Sequence, residues 1–129
     1  MSQSDLAFMQ EGHFKRAFCY FMYKIYNSHS LEQIVKACNG NENDALILVD
    51  ILQEGWYMPN DEFFPVHYSD LEEMTGVARM KYAQIFNRLE NKFGVKQMST
   101  SGDPDRERFI RLAFNRDIVI SLIDLYANV

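Results

Sequence analysis

Cysteine is scarce. Cys19 and Cys38 lie too far apart for a CxxC redox pair or a zinc-ligand spacing, so a disulfide framework, a metal centre and a redox enzyme all lose support. No apolar run reaches the about 18 residues that a spanning helix needs. The opening Met1-Ser2-Gln3-Ser4-Asp5 is polar and unlike a secretory leader, which predicts a cytoplasmic chain with no membrane partner. His13, His29 and His67 are scattered, with no Asp or Cys spaced to complete a metal site or a nucleophilic triad. No catalytic residue, metal ligand or cofactor is therefore expected, and structural roles are the default for the three imidazoles.

What is present suits one soluble folding unit. The 129 residues are 47% hydrophobic, 24% charged and 14% aromatic, enough apolar surface to bury a core and too much for a disordered chain. Formal charge is −5, which alone argues against a polyanionic partner, but the distribution says otherwise. Nine of the 13 Lys and Arg fall between residues 76 and 116, among only four acids, while residues 1–64 hold nine acids. A basic module joined to an acidic one points to an anionic partner more directly than the net charge does.

Residues 4–27 read as a long helix carrying Phe14, Phe18, Phe21, Met22 and Ile25, whose second half is apolar or aromatic on nearly every side. Such a helix needs two burial partners, and a second subunit is the natural second one. Ser30-Leu31-Glu32-Gln33 reads as a capping box opening a short helix to Cys38, a cysteine near enough to a helix end to be a candidate redox sensor. Turn residues 39–43 precede a buried helix that stops at Gly55, and a 56–62 loop leads to an extended segment, Phe63 to His67, held open by Pro65.

The informative stretch follows. Ser69-Asp70-Leu71-Glu72 predicts a second capping box and a short helix ending at Thr75-Gly76. From Ala78 to Phe93 the apolar Tyr82, Ile85, Phe86, Leu89 and Phe93 line one helical face, while Lys81, Gln84, Arg88 and Asn91 lie opposite. Gly94 to Gln97 reads as a strand, residues 99–105 as a turn, and Phe109 to Phe114 as the returning strand. Two helices around a glycine turn, followed by an arginine-bearing hairpin, predict a winged helix-turn-helix. The fold class expected is mainly α with a small β-hairpin wing (α+β). The chain divides into N-terminal helices over 1–40, a helix-turn-helix core over 43–114 and an apolar C-terminal helix over 116–129.

Residues 75–90, Thr-Gly-Val-Ala-Arg-Met-Lys-Tyr-Ala-Gln-Ile-Phe-Asn-Arg-Leu-Glu, together with Asp103-Pro104-Asp105-Arg106-Glu107-Arg108, resemble the MarR family of winged-helix regulators, including its small SarA-like members. About 50 residues carry the likeness. Phe93-Gly94-Val95 departs from the family's Gly-Leu-Val, the C-terminal helix is short, and the 55–66 connection is longer than the family needs. The resemblance implies a cytoplasmic bacterial transcription regulator, with repression as the expected mode, acting as a homodimer on a pseudo-palindromic duplex operator. The recognition helix would be 78–92 and the wing 98–108. Arg79, Met80, Lys81, Gln84 and Arg88 are the expected groove contacts; Gln84 suits adenine, the arginines suit guanine or phosphate, and Lys92 and Lys96 suit phosphate. In the wing, Arg106 is the expected minor-groove residue, oriented by Asp103 or Asp105, with Arg108 and Arg111 as second choices. Ile120 and Ile123 of the last helix would join the dimer interface. Many members take a small-molecule effector, and the aromatic residues at the dimer end could line its pocket, although core packing is the favoured reading of them. The rival reading, favoured by the net acidity, is a winged-helix adaptor that binds another protein.

Overall fold

The computed structural model describes residues 29–128. The 4–27 helix, with Phe14, Phe18, Phe21, Met22, Ile25 and Cys19, lies outside that range. Within it, five α-helices and a three-stranded antiparallel sheet share one core.

Helix α1 (Leu31–Ala37) starts as the sequence predicts: Ser30 accepts from the Gln33 N–H while the Gln33 side chain accepts from the Ser30 N–H. Helix α2 (Glu42–Gly55), capped by Asn41, is the centre of the molecule, and every residue from Asp44 to Leu52 is buried. A helix apolar on all faces has to be surrounded, and here α1, helices α3 and α4, and strand β1 all pack against it. Its last residue, Gly55, lies against the rings of Phe64 and Phe114; a Cβ there would come within 2.5 Å of Phe64.

Strand β1 (Phe64–His67) leads into α3 (Tyr68–Thr75), which begins without a side-chain cap. The second capping box is therefore not formed, because the helix starts at Tyr68, ahead of Ser69, and His67 stands at the cap. Gly76 ends α3 in the left-handed conformation, φ 71°, which an L side chain adopts only at a cost. The expected continuous helix from Ala78 is divided: Arg79–Lys81 form a 3-10 turn and α4 runs Tyr82–Phe93. Thr75 and Tyr82 bracket the turn. The Thr75 hydroxyl donates to the Leu71 carbonyl at 2.6 Å and accepts from the Val77 N–H, while the Tyr82 hydroxyl donates to the Val77 carbonyl at 2.9 Å.

Gly94 caps α4, and the strand expected from it shrinks to β2 (Lys96–Gln97). Strand β3 (Phe109–Ala113) pairs with both others, giving the order β1-β3-β2 with Phe64 opposite Leu112 and Lys96 opposite Ala113. Pro65, which cannot donate to a ladder, is tolerated because β1 is an edge strand. Helix α5 (Arg116–Ala127), capped by Asn115, packs on α1. Its Val119, Ile123 and Ala127 are closed inside the same core as Leu31, Ile34 and Ala37. Ile123 consequently cannot serve a dimer interface, being wholly covered by its own chain, and Ile120 is half-buried. What α5 leaves outward is Ile118, 52% exposed, and Leu125, 58% exposed.

The long 56–62 connection has a structural task. Arg116 donates through its guanidinium to the Trp56 and Met58 carbonyls and through its backbone N–H to Asn60, while the Asp61 N–H donates to the Phe114 carbonyl. The loop is thereby fastened to the junction of β3 and α5. No described helix is long and apolar enough to cross a membrane.

Candidate nucleic-acid interface

The nine residues expected to meet nucleic acid lie on α4, the 3-10 turn before it, strand β2 or the 98–108 segment, and the seven outside that segment fall into two groups. In the first, Arg79, Met80 (86% exposed), Lys81 and Gln84 crowd the start of α4, all exposed. Helical spacing turns Tyr82, Ile85, Phe86 and Leu89 into the core and leaves Lys81 and Gln84 facing out. Among the described residues, Lys81 and Gln84 have no side-chain hydrogen bond or ion pair, and Arg79 has only a ring contact, its guanidinium carbon 4.3 Å from the centroid of Tyr68.

The second group is engaged internally. Arg88 donates from Nε and Nη2 to the two oxygens of Asp44, both at 2.8 Å, joining α4 to the start of α2. Asp44 is buried and Arg88 is half-exposed, so the pair holds a carboxylate that would otherwise lack its solvation. The Asp44 hydrogen bond raises the Arg88 guanidinium above its ordinary value and keeps it charged. Lys92 donates to the Asn39 amide oxygen at 2.9 Å and lies 4.6 Å above the Tyr126 ring, and Lys96 pairs with Asp61 at 3.2 Å. The stripe predicted by periodicity, Lys81, Gln84, Arg88 and Asn91, is exposed throughout, yet Arg88 already has an intramolecular partner.

The 98–108 segment is a compact chain of turns rather than a projecting ribbon. Asp103 organises it. One carboxylate oxygen accepts the Asp105 N–H at 2.9 Å and the other accepts the Arg111 guanidinium; these bonds hold the Asp103 carboxyl below its ordinary value, the backbone bond contributing most. Arg111 also lies over the Phe109 ring at 4.8 Å. The partner expected for Asp103 was Arg106, which the structure corrects: Asp103 holds Arg111, and Asp105 approaches Arg108 at 3.7 Å. Arg111 competes successfully because it stands on a strand at fixed register, whereas Arg106 sits on the turn itself. Arg106 is exposed and has no side-chain partner among the described residues.

The 98–108 turns and the start of α3 meet at Tyr68, whose N–H donates to the Arg108 carbonyl at 3.0 Å. Tyr68 was not singled out from the sequence, where it reads only as one more aromatic. Its ring stacks on Tyr82, centroids 6.0 Å apart, and carries Arg79. Burial raises its phenol above the usual value, and Arg79 draws it back. A cleft of about 650 Å³ opens here, lined by carboxylates (Glu72, Glu73, Glu107) as well as by Arg79 and Arg108.

Two titratable groups fall outside this surface. Cys38 is buried and its thiol is pushed up to about 12, chiefly by desolvation, so the thiolate that redox sensing requires is not formed near neutral pH. The expectation of an oxidisable Cys38 is overturned by that burial. Asp50 is 2% exposed on α2, one of its carboxylate oxygens has no hydrogen-bond partner among the described residues, and burial with nearby Glu54 and Asp70 pushes it up to about 8. Among the described residues no cluster of three or more His, Cys, Asp or Glu could hold a metal ion.

No family model, curated protein or solved structure matches the chain.

Proposed function

We propose that the protein is a homodimeric, sequence-specific DNA-binding transcription regulator of winged helix-turn-helix architecture and MarR type. Helix α3, the Gly76 turn and α4 form the helix-turn-helix, and the 98–108 segment is the wing. One observation carries the reading: Arg79, Lys81, Gln84 and Arg106 are exposed, have no side-chain hydrogen-bond or ion-pair partner among the described residues, and are contributed by the two parts of the chain that this architecture lays on DNA. Solvated polar groups held on a rigid helix lose little by exchanging water for base edges and phosphates. In this reading Arg88, Lys92 and Lys96 brace the far end of α4 rather than contact DNA. Ile118 and Leu125, seven residues apart on one side of α5, contribute to pairing of two copies.

The lining of the 650 Å³ cleft favours a second reading. Glu72, Glu73 and Glu107 would repel phosphate but suit a basic segment of another protein, as an adaptor requires. Titration of a random duplex pool at low salt, with sequencing of what is retained and measurement of the mass in solution, separates the two. An enriched inverted repeat bound by a dimer is the expected result; absence of enrichment rejects the regulator and leaves the adaptor.

A further inference from the structure

Of the cations near the start of α4, Arg79 differs from the others in how it is held. A guanidinium lying over an aromatic ring uses its face for the contact and leaves its N–H donors, which radiate in its own plane, available. The Arg79 guanidinium carbon lies over the Tyr68 ring at 4.3 Å, and no described carboxylate, carbonyl or amide accepts from it. Tyr68 is itself fixed at three points. Its backbone N–H is bound to the Arg108 carbonyl, it opens α3, and its ring stacks on Tyr82, whose hydroxyl is bound to the Val77 carbonyl. The platform beneath Arg79 is therefore tied to the wing, to α3 and to the turn before α4.

We infer that Arg79 is the specificity-determining residue of the interface, reading a guanine edge in the major groove through its paired donors, and that Tyr68 is the positioning residue that presents it. The inference rests on the DNA-binding reading above and deepens it. Bidentate recognition of guanine O6 and N7 needs a planar fork arriving in a set orientation, and a side chain already stacked loses less rotamer freedom on binding than a free one. The other cations do not meet this requirement. Arg88 has its donors on Asp44, Lys92 and Lys96 have partners and lack the fork, and Arg106 has no platform, which suits a phosphate or minor-groove contact instead.

The test compares full-length wild type with Arg79→Lys, Tyr68→Leu and Tyr68→Phe in selections from a random duplex pool, followed by affinity measurements across a salt series. Wild type is expected to select a guanine at one position of each half-site. Arg79→Lys keeps the charge and loses the fork, so preference at that position falls about tenfold or more with the salt slope unchanged. Tyr68→Leu weakens preference at the same position alone, and Tyr68→Phe, which keeps the ring, restores it. A selected site that keeps its guanine in Arg79→Lys overturns the inference while sparing the regulator, and so does a loss spread evenly over all positions after Tyr68→Leu. Selection of no sequence by wild type overturns the DNA-binding reading and this inference together.

Discussion

The two ends of α4 carry similar residue types and opposite arrangements. At its start, Arg79, Lys81 and Gln84 face solvent with no polar partner among the described residues; toward its end, Arg88, Lys92 and the following Lys96 are tied to Asp44, Asn39 and Asp61. Helical periodicity assigns both ends to one outer stripe. What divides them is the tertiary neighbour: Lys92 and Lys96 reach the α1–α2 turn and the 56–62 loop, whereas Arg79 at the near end lies over Tyr68. A basic stripe is thus half brace and half open surface. Helix α2 repeats the contrast with acids, since Asp44 has its guanidinium and Asp50 has an oxygen with no partner among the described residues.

Removing the brace should have the largest effect. Arg88→Ala leaves the buried Asp44 without its cation and should cost about 2–3 kcal/mol in urea unfolding, while Arg79→Ala stays within about 0.5 kcal/mol. Equal losses from the two would erase the distinction between the ends. The next effect concerns Asp50, whose carboxyl rises from 3.8 when free to about 8 in the fold, with Glu54 rising from 4.5 to about 7. The folded chain holds protons that the unfolded chain releases, so their contribution is full below about pH 4 and is lost progressively as pH rises toward 8. Asp50→Asn should flatten that decline and add on the order of 2 kcal/mol at pH 8; a stability profile unchanged by the substitution would remove Asp50 from the account.

A smaller effect is expected at the wing. Arg106→Ala should reduce the salt dependence of DNA binding by roughly one unit of slope and leave the melting temperature unaltered. Lys96→Ala should do least. Its pair with Asp61 is exposed on both sides, so stability should move by no more than about 0.5 kcal/mol and the salt slope should stay put. A slope that fell with Lys96→Ala and not with Arg106→Ala would exchange the roles given to the 98–108 segment and to the far end of α4.

Much of the architecture was legible in the chain because it depends on local chemistry. The Ser30 box, the Gly76 stop, the strand-forming Pro65 segment and the amphipathic face from Tyr82 to Phe93 each follow from residues within a turn or two of one another. The failures have a common cause as well. Arg88 finds Asp44 from 44 positions away, Lys92 finds Asn39 from 53, and Ile123 is sealed by contacts that no period announces. Ser69 lost its cap because Tyr68 was drawn into α3 ahead of it, its N–H taken by the Arg108 carbonyl from the end of the wing. Arg111, rather than Arg106, took Asp103 because a strand delivers a side chain to a fixed place and a turn does not.

The strand order β1-β3-β2 also bears on how the chain is made. Its central strand is the last of the three to leave the ribosome, and until Ala113 has emerged both β1 and β2 carry backbone groups with nothing to pair. Until then the Arg108 carbonyl that receives the Tyr68 N–H is not yet in place. The platform under Arg79 is therefore completed late, together with the part of the core that Leu112, Phe114, Val119 and Ile123 supply.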